Sequence, residues 1–225
     1  MNIIITGASR GLGLGFVRHY QQQDHQIWAV CRQLTDELQA LQSDGVQVVY
    51  WDVRNETPDA GGDALPDSID LLINNAGIYG PAKGDGQGLE SVAMDGMHEV
   101  FDVDCLGSLR VVQHLLPAIK KGGGVVANLS SKMGSSEDNT SGGCYAYRAA
   151  KGALVIVSKS MAIDLAGYGV DVITLHPGWV RTDMTGFNGL IDVEQSVAGM
   201  TDVIARVDDY ESGAFVAFDG VVVPY

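Results

Sequence analysis

Seven short apolar runs recur along the chain: IIIT at 3–6, IWAV at 27–30, VQVVYW at 46–51, IDLLIN at 69–74, GVVANL at 124–129, VDVITL at 170–175 and AFVAF at 214–218. They are rich in Val and Ile and mostly lack clean polar–apolar alternation. That is how strands buried on both faces read. Amphipathic stretches at 12–23, 34–43, 92–119, 146–166 and 193–206 separate them and predict helices. Strands alternating with helices predict βαβ units, and so an α/β fold: a doubly wound, mainly parallel seven-stranded sheet with helices on both faces. There is no internal repeat and no interdomain linker, and 225 residues suit a single domain. ETPDAGGDALPD at 56–67 reads as a loop or broken helix, and GPAKGDGQG at 80–88 as a flexible loop.

The formal charge of −14 argues against binding nucleic acid or an anionic membrane, both of which need a basic surface. An anionic ligand must therefore be held by local cations against an unfavourable overall field. Cys31, Cys105 and Cys144 form no CxxC pair, which favours a reducing compartment. The five histidines show no metal-ligand spacing, so no metal site is expected. Residues 2–6 run straight into a glycine turn without a signal-peptide pattern, and no apolar run approaches the roughly 20 residues of a membrane span. A soluble cytoplasmic protein is expected.

The first apolar run leads into TGASRGLGLG, Thr6 to Gly15. Gly7, Gly11 and Gly13, with Ser9, Arg10 and Leu12 between them, stand where a strand turns into a helix. Glycines there let the backbone approach phosphate oxygens, and the helix start offers free N–H groups and a positive dipole end. This is a Rossmann-type pyrophosphate site. A carboxylate that would bond the ribose of NAD is missing at the end of the second run, where Cys31 and Arg32 stand instead. Arg10 and Arg32 together favour a 2′-phosphate, hence NADP(H) over NAD(H), because guanidinium forms forked charge-assisted bonds to phosphate.

With these features the chain resembles the short-chain dehydrogenase/reductase family along nearly its whole length. TGASRGLG is similar to the family's glycine turn, Asp52–Val53 to its adenine-contacting pair, and NNAG at 74–77 to its signature after the fourth strand. LSSKMGSS resembles the catalytic-serine segment, YRAAK the YxxxK motif, and HPGWVRTD the segment near the nicotinamide. The ending SGAFVAFDGVVVPY is similar to that of C-factor-like proteins and small carbonyl reductases. The resemblance implies cofactor contacts from Asn75, Ala76, Gly77, Tyr147, Lys151, Pro177, Gly178, Val180 and Thr182. It implies Ser131, Tyr147 and Lys151 as catalytic residues. It also places Asp104, in FDVDCLG, where the family usually has a relay asparagine. Three states of Asp104 are open: protonated by burial, paired with Lys151, or impairing the relay.

Tyr147 and Lys151, four apart, share one helix face, whereas Tyr145 points elsewhere. A nearby ammonium and the cofactor's positive ring are expected to lower the phenol's pKa toward the working pH. Ser131 would bond the substrate oxygen, and Ser130 should face the other way. Trp179, Met184, Phe187, Leu190 and Tyr145 are candidates to line the substrate side, with a substrate loop at about 184–196 that is short for a lid. Cys105 and Cys144 read as buried small hydrophobes. The expected activity is NADPH-dependent reduction of a ketone or aldehyde. Alternatives are NAD(P)+-dependent alcohol oxidation and a dinucleotide-binding, C-factor-like signalling protein of low turnover. The expected partners are a small-molecule carbonyl or alcohol and, by resemblance, further copies of the chain in a homodimer or homotetramer formed through helices at about 97–119 and 146–166.

Overall fold

The computed structural model describes residues 1–43, 45–59, 64–80 and 87–225. Most of the glycine-rich loop expected at 80–88, and the centre of the one at 56–67, lie outside these residues.

The described strands form one seven-stranded sheet in the order β3-β2-β1-β4-β5-β6-β7. They are β1 (Asn2–Thr6), β2 (Gln26–Cys31), β3 (Val46–Tyr50), β4 (Leu71–Asn74), β5 (Val125–Leu129), β6 (Asp171–His176) and β7 (Phe215–Ala217). Every neighbouring pair is parallel, so the sheet expected to be mainly parallel is parallel throughout. The register explains the unbroken apolar runs. Ile3 and Ile5 face one core with Phe16, Val17, Met200 and Val203, while Ile4 faces the other with Val111, Leu115, Met161 and Leu165. Both faces of the strand are dry across Ile3–Ile5, so its polar residues, Asn2 and Thr6, stand at the two ends.

The first of these cores is covered by α1 (Gly11–Gln21) and α6 (Val193–Ala205), the second by α4 (Gly107–Gly122) and α5 (Tyr145–Leu165). Two expected helices differ in detail. The helix expected over 34–43 is the single turn α2 (Asp36–Gln39), because only Leu38 is buried and one apolar anchor cannot hold a longer helix. The helix expected over 92–119 is α3 (Met94–Phe101), then a π-helical turn (Asp102–Leu106), then α4. An extra residue in that turn re-aims the side chains it carries, and such turns concentrate at functional sites.

Ile4 lies in a central strand with no solvent exposure. Ile4→Ala is expected to destabilise the fold by about 2–5 kcal/mol, measured as a lower urea midpoint with an unchanged slope.

Candidate active site

The strand order reverses between β1 and β4, the place where an open parallel sheet leaves a crevice beyond its strand ends. Two turns fill it. The turn after β1 holds Gly7 and Gly11 at φ +66° and +54°. The turn after β4, Asn75 to Gly77, is clamped onto it. Thr6 Oγ1 accepts from the amides of Asn75 and Ala76 at 3.0 Å each, and Asn75 Nδ2 donates to the carbonyls of Thr6 and Gly7 at 2.9 and 3.2 Å. A cavity of about 790 Å³ opens over both turns.

Of the expected cofactor residues, Gly7, Ser9, Arg10, Gly11, Leu12, Arg32, Asp52, Val53, Asn75, Ala76, Gly77 and Thr182 line this cavity. Gly13 does not. A Cβ there would lie 2.2 Å from the Gly7 carbonyl oxygen, so its role is to let α1 approach the turn. The linings that sequence reasoning missed include Gln33, Thr35, Trp51, Ile78, Val103 and Asp183. Several of these directly follow or precede a recognised motif, which was the available signal. Thr35 also ties the cavity's rim together, since its hydroxyl donates to the Ser9 carbonyl at 2.8 Å and caps α2.

At the far end of β2 the cavity has cations on its wall. Arg32 is exposed, and Arg10 leans on Asp183 at 3.4 Å with both side chains largely in solvent. Asp52 is chelated by Arg54, with Nη2 at 2.6 Å, and these hydrogen bonds hold its carboxyl below the usual carboxylate range.

The catalytic candidates meet behind the Asn75–Gly77 turn. Tyr147 and Lys151 are both buried on the inner face of α5, while Tyr145 is about a third exposed. Lys151 Nζ donates to the Leu129 carbonyl at 2.9 Å and stands 3.2 Å from Asp104 Oδ2. Asp104, in the π turn, has no solvent exposure, and its Oδ1 accepts from the Ile78 amide at 2.7 Å. Ser131 Oγ accepts from the Met133 amide at 3.2 Å and lies close enough to the Tyr147 phenol to lower its pKa. Ser130 turns the other way and donates to the Lys151 carbonyl at 2.8 Å, a structural bond.

The protein's own groups pull the Tyr147 phenol both ways. Burial pushes the Tyr147 phenol above its ordinary value. Lys151 and the Ser131 bond pull it back, but the Asp104 charge opposes Lys151. Lys151 itself is disfavoured as an ammonium by burial, yet Asp104 and Tyr147 carry it above the usual lysine value.

Toward the substrate side, Pro177, Gly178 and Val180 are bracing residues and do not line the cavity. The Pro177 carbonyl accepts from Ser196 Oγ at 2.6 Å, and the Val180 carbonyl accepts from Thr185 Oγ1 at 2.6 Å. The expected loop at 184–196 is shorter than drawn, because 183–185 form a 3₁₀ turn and α6 starts at Val193. Met184 lines the cavity, and Trp179, Phe187 and Leu190 project into solvent. Cys105 is buried as expected, but Cys144 is half-buried at φ +50°, with its Sγ 3.0 Å from the Tyr79 hydroxyl. The Tyr79 ring lies 5.0 Å from that of Tyr147.

A parallel sheet with a glycine cradle over its switch point and a buried tyrosine–lysine pair beside it is the frame of a dinucleotide-dependent oxidoreductase. The chain belongs to the short-chain dehydrogenase family, whose model matches residues 1–189. It is 41% identical over 160 residues to C-signal of Myxococcus xanthus, covering 70% of this chain and 93% of that one. It is 29% identical to 1-hydroxy-2-glutathionyl-2-methyl-3-butene dehydrogenase of a Rhodococcus strain, over 97% of this chain and 96% of the relative. Its fold superposes on the NADPH-bound carbonyl reductase from chicken fatty liver with a TM-score of 0.87 at 28% identity, covering 100% of this chain and 98% of that one.

The residues present fit a nicotinamide dinucleotide. The start of α1 carries no acidic residue in its first turn and no side-chain cap, so its amides are free for a phosphate. Gly13→Ala is expected to push the turn out of shape and weaken dinucleotide binding about tenfold or more, read by fluorescence titration of the folded variant.

Proposed function

We propose that this protein is an NADPH-dependent carbonyl reductase that converts a ketone or aldehyde to the alcohol. The observation that carries the reading is the buried Tyr147–Lys151 pair with Ser131 near the phenol, set beside the glycine cradle. The reduced nicotinamide, when bound, supplies the hydride. Tyr147 gives its phenolic proton to the carbonyl oxygen, so that C=O becomes CH–OH. Ser131 donates a hydrogen bond to the same oxygen and stabilises the charge that develops there. Lys151 keeps its ammonium beside the phenol and stabilises the phenolate left after proton transfer. A phenol held protonated favours this direction over alcohol oxidation, which needs the phenolate as base.

Arg10 and Arg32 on the cavity wall, with no carboxylate at the end of β2, support NADP(H) over NAD(H). The chicken reductase, which binds NADPH, points the same way. Three free cysteines support a reducing, cytoplasmic setting. Ile156 and Ile163 stand exposed on the outer face of α5 and support self-association through that helix. The similarity to C-signal favours a second reading, a dinucleotide-binding signalling protein, which would bind NADPH tightly without turning over any carbonyl.

Tyr147→Phe is expected to lower kcat for carbonyl reduction about 10²- to 10⁴-fold while leaving NADPH affinity nearly unchanged; equal activity in the variant would overturn the mechanism. Arg32→Ala is expected to lower kcat/KM with NADPH about tenfold or more and to leave that with NADH almost unmoved, measured over a panel of aldehydes, ketones and quinones.

A further inference from the structure

Asp104 holds a carboxyl where a buried charge is costly, and that cost calls for a function. Every neighbour of this carboxyl is a donor: the Ile78 amide at 2.7 Å on Oδ1 and the Lys151 ammonium at 3.2 Å from Oδ2. Burial pushes this carboxyl above the usual carboxylate range, while the Lys151 ammonium and the Ile78 amide pull it back; with both of these donors aimed at it, the pair is read as carboxylate and ammonium. The Asn75–Gly77 turn lies directly over the pair. A Cβ on Gly77 would stand 3.3 Å from Lys151 Nζ and 3.4 Å from each Asp104 oxygen, so this backbone packs directly against the ion pair.

Among the described residues, the remaining groups that act on Tyr147 and Lys151 are uncharged, and the Arg148 guanidinium is turned to the Gly143 and Met133 carbonyls and the Ser141 hydroxyl. From the π turn comes the Cys105 thiol, raised by burial. From the segment after β4 comes Tyr79, pushed up to about 12 by burial and its bond to Cys144. From the turn after β5 come the Ser131 hydroxyl and the Leu129 carbonyl. Among the described residues, Asp104 and Lys151 are therefore the two charged groups that act on the Tyr147 phenol, and they oppose each other.

We propose that Asp104 is the fixed counter-ion of Lys151, and that its charge holds Tyr147 as the neutral phenol across the working pH range, setting the site for proton donation rather than proton abstraction. Ionising Tyr147 beside a neutral ion pair leaves one uncompensated negative charge in a dry site. Ionising it beside a lone ammonium would leave none, and the Leu129 carbonyl and Ser131 hydroxyl are placed to stabilise that phenolate–ammonium pair. Asp104 is thus a positioning residue. It acts through Lys151 on the Tyr147 proton and rests on the reading of Tyr147 as the proton donor.

The test uses the cofactor-free protein first. The ultraviolet tyrosinate band is titrated against pH, and Tyr147→Phe, alone and combined with Asp104→Asn, identifies the contribution of Tyr147. Asp104→Asn is expected to lower the Tyr147 midpoint by about one to two pH units; an unchanged or higher midpoint overturns the proposal. Asp104→Ser, smaller and equally uncharged, serves if circular dichroism shows the asparagine variant unfolded. In turnover, the alkaline limb for carbonyl reduction and the acid limb for alcohol oxidation should both move down in pH in the variant, since both report one group. A shifted midpoint in a protein without turnover would uphold the counter-ion and sink the reductase reading. Normal turnover with an unshifted midpoint would do the reverse.

Discussion

The Lys151 ammonium is the constraint around which the site is built. A buried cation needs partners on every side, and its partners come from separate parts of the chain. Leu129 ends β5, Asp104 sits in the π turn, and Ile78, bonded to the same carboxylate, follows the Asn75–Gly77 turn. Satisfying one ammonium thus locks together the end of the central sheet, the start of α4 and the loop that floors the cavity. Ser130 adds a further tie, from the turn after β5 to the backbone of Lys151 itself. The geometry of the candidate site and the structural integrity of its surroundings rest on the same set of bonds here.

The sheet supplies the rigidity this arrangement requires. Strands buried on both faces leave β1, β4 and β5 no freedom to slide, since a one-residue slip would exchange the two cores. A polar ladder through the sheet reinforces the register. Asn74 donates to Asn128, Asn128 donates to Ser158, and Ser158 donates to the Leu154 carbonyl, linking β4 and β5 to α5. The helix that carries Tyr147 and Lys151 is therefore pinned to the strands whose ends carry Asn75 and Ser131.

Much of this was legible in the sequence because it depends on local pattern. Unalternated Val/Ile runs show a doubly covered sheet, and the spacing of Tyr147 and Lys151 places both on one helix face whatever surrounds them. What was not legible depends on approach between distant segments. The π turn has no composition signal, so the 92–119 stretch read as one helix. The phenol's shift required knowing how completely Tyr147 would be buried and then that Asp104 would land against Lys151, which at the sequence level was one of three open states. Gly13 read as part of the phosphate turn from its spacing, and the structure adds that a Cβ there would meet the Gly7 carbonyl oxygen, which local pattern does not reveal. Cys144 read as a buried hydrophobe, yet a left-handed backbone at the start of α5 turns it toward Tyr79.

The opposing pulls on Tyr147 explain why a burial that looks unfavourable suits the chemistry. A tyrosine that ionised easily in the resting protein would reach the substrate already deprotonated and unable to donate. Burial and the Asp104 charge keep the proton in place, while the Ser131 bond and the Lys151 ammonium make the phenolate tolerable once the proton has gone. The two influences act on different states, since the first governs the resting phenol and the second the anion that proton transfer leaves. A more exposed tyrosine would lose both, because water would supply the proton exchange and screen the ammonium. On the proposed reduction, burial beside the Asn75–Gly77 turn is thus what would let one residue hold a proton firmly at rest and release it to a carbonyl oxygen when negative charge develops there.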